Sequence, residues 1–229
     1  MTRLTSLTNA QTSLIFDFDG VLVDSEAIAV AVEEELWTKA GFAVSATEIA
    51  ERFIGLSYET IVSQLETQFG RSIPEGLMDE VQGETLARFP DELTEVAGMS
   101  DVLDSNRLPR SVASSSPLQR IHLSLEITGL TPRFDADLVF SGDMVENGKP
   151  APDLFLFAAD KMGAEPKNCV VIEDSPHGVT AGVAAGMTVI GLIAASHATP
   201  ALGTRLLDAG ATTVVSSTAE LAELINPGS

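Results

Sequence analysis

Six short apolar runs, each followed by a longer segment of helical spacing, constrain this chain more than any other feature. The runs fall at 14–16, 111–113, 138–140, 169–172, 188–192 and 213–215. Each is apolar throughout or nearly so. A strand with one wet face alternates polar and apolar residues, whereas a strand buried on both faces does not. Double burial is the environment of a parallel sheet covered by helices. Helical patterns at 118–127, 153–162, 178–185, 200–209 and 219–225 fill the intervals. Strand then helix, repeated, predicts an α/β fold: a doubly wound, Rossmann-like parallel sheet.

One interval breaks the rhythm. Between Val23 and Arg110 there are helical patterns but no buried strand. Helices are expected at 26–40, stopped by Gly41, at 47–53, at 58–69, stopped by Gly70, and at 74–89, with Pro90 beyond. This predicts an inserted all-α helical cap domain at 24–95, with the α/β core made of 1–23 and 96–229. The segment 96–105 then reads as the crossover helix into the second strand.

Composition narrows the function. The 229 residues carry 33 acidic and 13 basic side chains, a net charge of −20. Such a surface repels phosphate backbones and anionic lipid, so neither nucleic acid nor membrane is an expected partner. No segment is apolar enough to span a bilayer, and the N-terminal stretch has no signal-peptide core. Cys169 is the single cysteine, which excludes an internal disulfide and fits a reducing compartment. A cytoplasmic protein, monomeric or weakly self-associating, is expected.

The chemistry sits at the strand ends. The first run, Leu14-Ile15-Phe16, passes directly into Asp17-Phe18-Asp19-Gly20. Residues two apart on extended backbone share a side, so both carboxylates can face the crevice where open α/β sheets bind ligands. Carboxylates forced together raise a pKa or recruit a cation. A hard cation with oxygen ligands, Mg²⁺ above all, suits them. The fourth run, CVVI, ends in Glu173 and Asp174 in the same way. Ser114, Ser115 and Ser116 follow the second strand, and Lys149 lies in the loop after the third. Acids, hydroxyls and a lysine at one edge suit phosphoryl transfer. The steps would be carboxylate attack, proton transfer by a second carboxyl and hydrogen bonds to the equatorial oxygens.

DFDGVLVDS, VASSS, NGKPAPD and VIEDSPHG, in that order, resemble the four motifs of the haloacid dehalogenase-like (HAD) hydrolase superfamily. The likeness covers essentially the whole chain. The resemblance implies Asp17 as the nucleophile that becomes aspartyl-phosphate, and Asp19 as general acid/base with a backbone carbonyl on Mg²⁺. It implies Ser114 and Lys149 as holders of the phosphoryl group. Asp174 would ligate the metal directly, Glu173 directly or through water. Gly20, Ser115 and Ser116 line the same loops as further substrate contacts. The paired aspartates fit phosphatases and mutases, not dehalogenases, which lack the second.

The insert resembles the helical cap of the subgroup with sugar-phosphate phosphatases, phosphoglycolate phosphatase and β-phosphoglucomutase. There Arg52 and Gly55, in ERFIGLSYE, occupy the family's specificity loop. Ala29 and Ile54 stand where β-phosphoglucomutase carries a histidine and a lysine, which favours a phosphatase over a mutase. The pattern RF-x-G and the stretch ELTEVAGMSDVL resemble phosphatases acting on 6-phosphogluconate and similar sugar phosphates. The expected enzyme is therefore a Mg²⁺-dependent phosphatase of a small phosphorylated metabolite. A phosphosugar mutase and a non-catalytic phospholigand-binding protein are the rivals. Simpler roles are expected elsewhere: Asp24 and Ser25 as helix caps, Trp37 as cap core, and Asp153 as an N-cap.

Overall fold

A computed structural model describes residues 11–54 and 58–226 of the chain. Six strands form one parallel sheet: β1 (Ser13–Phe16), β2 (Arg110–Ser114), β3 (Val139–Ser141), β4 (Cys169–Glu173), β5 (Thr188–Leu192) and β6 (Thr213–Val215). Their order is β3-β2-β1-β4-β5-β6. The order reverses around β1, so the crevice beside it is the topological switch point where such sheets bind ligands. The registers pair Phe16 with both Val112 and Ile172. The residues that follow these positions therefore emerge side by side.

The described residues fall into two compact units, one running to Asp24 and resuming at Thr94, the other being Ser25–Leu93. Main-chain pairing explains why Asp24, Thr94 and Glu95 go with the sheet. Asp24 N–H donates to the Thr94 carbonyl, Val96 N–H donates to Leu22, and Val23 bridges to Glu95.

The sheet unit carries α5 (Met99–Ser105), α6 (Leu118–Ile127), α7 (Asp153–Lys161), α8 (Pro176–Ala184), α9 (Pro200–Asp208) and α10 (Thr218–Ile225). Strand alternation divides the core. Ile15, Ala113, Val171 and Val189 pack with Leu154, Phe155, Val179 and Leu206 of α7, α8 and α9. Leu14 and Phe16 point the other way, where Phe16 meets Phe134 edge-on at 6.3 Å. Cys169 is buried at the start of β4, and burial pushes its thiol up to about 11, which keeps it protonated and unreactive.

The helical unit contains α1 (Glu26–Lys39), α2 (Ala46–Arg52), α3 (Tyr58–Phe69) and α4 (Leu77–Glu92). Its own core joins Val32, Leu36 and Trp37 to Ile49, Phe53, Ile61, Leu65 and Val81. Trp37 packs edge-on against Phe53 at 5.5 Å, the core role expected of it.

Several boundaries and caps differ from expectation. α4 passes through Pro90 instead of stopping before it. Proline forfeits one helical hydrogen bond, but buried Phe89 and Leu93, four residues apart, hold the last turn in place. The stretch before α5 does not start a helix at residue 96; Gly98 takes a left-handed conformation, φ 82°, and α5 begins after it. Ser25 stands at the N-cap of α1 but gives it no side-chain hydrogen bond. Asp24 is turned to the loop after β5 instead, where its carboxylate accepts from the Ser196 amide and hydroxyl at 3.0 and 2.9 Å.

Candidate active site

The site lies in the sheet unit, at the carboxyl ends of β1, β2 and β4. Asp17 is the first residue after β1, and its amide still donates to Ile172 on β4 at 2.9 Å. Glu173 is the last residue of β4 and Asp174 follows it. Asp17, Glu173 and Asp174 each present an oxygen within 4.8 Å of the others, and all three residues are buried. Lys149 reaches them from the loop after β3, its side chain only 5% exposed. Its Nζ donates to Asp17 Oδ1 and to Glu173 Oε1, both at 2.7 Å.

Glu173 is fixed from its other side. Ser175 donates its amide and its hydroxyl to Oε2 at 2.8 and 3.0 Å, while its own oxygen accepts from Gly178 N–H. Ser175 is thus the N-cap of α8, and the two acids are left to the site. Gly178 explains how Glu173 fits against the helix: a Cβ there would come within 1.6 Å of Glu173 Oε1. Gly20 makes similar room with a left-handed φ of 76°, since a Cβ would lie 1.8 Å from Asp174 Oδ2.

Charge decides what this arrangement needs. Three carboxylates face one ammonium. Two like charges 4.8 Å apart repel by roughly 3 kcal/mol at an effective dielectric near 20. Burial, and then the Glu173 charge, hold the Asp17 carboxyl well above its ordinary value of 3.8, although Lys149 pulls the other way. Asp174 is raised for the same two leading reasons. Burial alone would discharge Lys149, but Asp17 and Glu173 outweigh it and keep its pKa above that of a free lysine. A divalent cation would balance the two surplus negative charges. The donor set is all hard oxygen, as Mg²⁺ or Ca²⁺ prefers, so the residues fit a divalent metal.

Asp19 stands apart from this cluster. Ser116 Oγ donates to its Oδ2 at 2.6 Å, and an Arg120 NH2 donates to its Oδ1 at 2.8 Å. Ser114 is buried, and its Oγ accepts from the Ser116 amide at 3.0 Å. Ser115 is exposed. Arg52, in the helical unit, pairs with Glu48, bonds Gln68 at 2.9 Å and stacks on Phe53 at 4.7 Å. Gly55 lies outside the described residues. Asp153 opens α7 as its first residue and not as its N-cap, its Oδ2 accepting from Asn147 at 2.9 Å.

Sequence reasoning passed over three residues. His197, after β5, places Nε2 3.3 Å from Asp174 Oδ2. Gly178 gave no local signal apart from its place in the fourth motif. Arg120 did leave one: it is a cation in the first turn of α6, the end of a helix that disfavours positive charge.

Comparison with known proteins agrees with this geometry. The family model for haloacid dehalogenase-like hydrolases matches residues 14–192. The chain is 29% identical to the 6-phosphogluconate phosphatase of Escherichia coli, over 82% of this chain and 85% of that protein. It superposes on a conserved haloacid dehalogenase-like protein of unknown function from Agrobacterium tumefaciens with TM-score 0.86 and 39% identity, covering 93% and 96% of the two chains. A HAD family hydrolase from Deinococcus radiodurans, solved with bound phosphate and sodium, matches with TM-score 0.79 and 34% identity over 96% of this chain and all of that one. The chain belongs to the haloacid dehalogenase-like hydrolases, and within them it is a phosphatase, a hydrolase of phosphoric monoesters.

Proposed function

We propose that the protein is a Mg²⁺-dependent phosphatase of a small phosphorylated metabolite, a sugar phosphate or sugar-acid phosphate, working through an aspartyl-phosphate on Asp17. The observation that carries this reading is the buried trio Asp17, Glu173 and Asp174, with the Lys149 ammonium bonded to two of its members. The 6-phosphogluconate phosphatase likeness supports the substrate class, and the phosphate held by the Deinococcus relative supports a phosphoryl group as occupant.

Asp17 attacks phosphorus while Asp19 gives a proton to the leaving alcohol. Water then attacks the phosphorus of the aspartyl-phosphate, with Asp19 taking the proton. Lys149 and the Ser114 hydroxyl hold the equatorial oxygens, and Lys149 also favours the ionised form of Asp17, in opposition to its burial. Asp17, Asp174, the Asp19 carbonyl and Glu173, directly or through water, are the groups that would hold Mg²⁺. Bound there, Mg²⁺ supplies positive charge between nucleophile and phosphate. The helical unit Ser25–Leu93 is the cap that excludes water and selects the leaving group, with Arg52 and Gly55 as its substrate contacts.

A panel of sugar-acid phosphates, hexose phosphates, phosphoglycolate and β-glucose 1-phosphate, read by phosphate release with Mg²⁺ and with chelator, tests the reading. Metal-dependent release ranked highest for sugar or sugar-acid phosphates is expected. Conversion of β-glucose 1-phosphate to glucose 6-phosphate without phosphate release would contradict it.

The metal also predicts a pH-dependent stability. Asp17 and Asp174 have folded-state pKa values raised above 3.8. Their contribution to stability is thus fully present below that value and is lost as pH rises through the folded pKa. Metal-free protein should lose Tm from this source between acid and neutral pH. Saturating Mg²⁺ should raise Tm more at pH 7 than at pH 5. Equal Mg²⁺ shifts at both pH values in differential scanning fluorimetry would contradict the assignment.

A further inference from the structure

Arg120 is the third residue of α6, the helix that follows the serine loop. At that position the helix dipole opposes its charge. Its guanidinium turns back to Asp19, and the pair is mostly shielded, with side chains 15% and 14% exposed. The loop between them is tied down as well. Ser114 Oγ accepts from the Ser116 amide, and Ser141 Oγ, at the end of β3, donates to the Ser116 carbonyl at 2.8 Å. The Ser116 hydroxyl then meets Asp19 Oδ2. Two strands and a helix terminus therefore converge on one carboxyl group that makes no part of the acidic trio.

We propose that Arg120 is the positioning residue of Asp19. A guanidinium donates only, so it commits Oδ1 in either protonation state. A hydroxyl both donates and accepts. Ser116 can give a hydrogen bond to Oδ2 of the carboxylate, or accept one from Oδ2–H of the acid. Of the two oxygens, Oδ2 is therefore the one whose partner permits exchange of a proton, and the Arg120 contact on Oδ1 fixes its place. In the first step the Asp17 oxygen–phosphorus bond forms, the phosphorus–alcohol oxygen bond breaks, and the Oδ2 proton passes to the alcohol. In the second a water oxygen bonds phosphorus, the Asp17–phosphorus bond breaks, and the water proton returns to Oδ2. The proposal rests on Asp19 being the acid/base of the phosphatase reaction.

The test uses purified full-length enzyme, Mg²⁺, an alkyl substrate (a hexose 6-phosphate) and an aryl one (4-nitrophenyl phosphate). Arg120→Gln should lower kcat on the alkyl substrate about 10- to 100-fold with KM nearly constant, as misplacing a reacting group by an ångström does. Single-turnover release of the aryl alcohol should fall much less, because that leaving group needs little protonation. Arg120→Lys should recover part of the loss. Asp19→Ala with Arg120→Gln should be no slower than Asp19→Ala alone, since a positioning residue has no effect without its target. Unchanged alkyl kcat in Arg120→Gln, or equal losses on both substrates, overturns the proposal. Additive losses in the double variant overturn it too. Should Arg120→Gln fail to fold, Arg120→Lys carries the alkyl-to-aryl comparison, and wild-type ratios overturn the proposal. Asp19→Ala that still turns over the alkyl substrate defeats instead the reading of Asp19, whatever Arg120 does.

Discussion

Asp17→Asn removes turnover, by about 10⁴-fold or more, which is the scale of losing a nucleophile. The amide is a poor nucleophile and a weaker cation ligand, yet it keeps the shape of the side chain. The effect on stability has the opposite sign. Asp17 is a buried carboxyl whose charge is disfavoured by desolvation and by Glu173. A neutral group relieves that repulsion, and Lys149 keeps Glu173 as its partner at 2.7 Å. Metal-free Asp17→Asn should therefore melt at or above the wild-type temperature at neutral pH, and Mg²⁺ should stabilise it less. Loss of activity together with loss of fold would assign Asp17 a structural role instead. Phosphate release and thermal melting on one preparation measure both.

Lys149→Met has the second-largest expected effect, and here stability and activity fall together. The ammonium lies between Asp17 and Glu173, and all three side chains are shielded from water. Removing one partner of a buried pair strands the others, at about 3–5 kcal/mol. For a chain of this size that lowers Tm by about 10 °C. The loss should be greater at pH 8 than at pH 5, because at the lower pH the stranded carboxyls can take up protons. It should shrink when Mg²⁺ is present to offset their charge. Activity should drop about 10²- to 10³-fold, the scale of losing one preorganised donor to a developing charge. An unchanged Tm in metal-free Lys149→Met would show that the trio is not under electrostatic strain.

Strands and the acidic groups after them were legible because each depends on a local rule. Burial on both faces of the parallel sheet makes Ile15, Val171 and Val189 apolar on one side and Leu14 and Phe16 apolar on the other. A carboxylate directly after such a run stands out because nothing local favours it. The helical insert was legible from its stops, Gly41 and Gly70, which take left-handed φ of 86° and 64°. Features that depend on tertiary reach were less visible. The end of α4 is set by the burial of Phe89 and Leu93, which outweighs the local signal of Pro90. Asp24 has the sequence context of a helix cap, but its partner, Ser196, is 172 residues away. Arg120 meets Asp19 across 101 residues, and a helix dipole signal alone does not name that partner. Glu173 and Asp174 could equally have capped α8 on sequence grounds. The structure gives that work to Ser175, which separates the cap from the acids.

The central claim is that the phosphoryl group passes through Asp17. Acid-quenching the enzyme during turnover of its best substrate, then mapping the phosphoryl mass by peptide mass spectrometry, tests it most directly. The account predicts a labile phosphate on the peptide carrying Asp17, present with Mg²⁺ and absent after chelation or in Asp17→Asn. Steady turnover with no phosphoryl group on that peptide at any quench time, or with one on another residue, would contradict it.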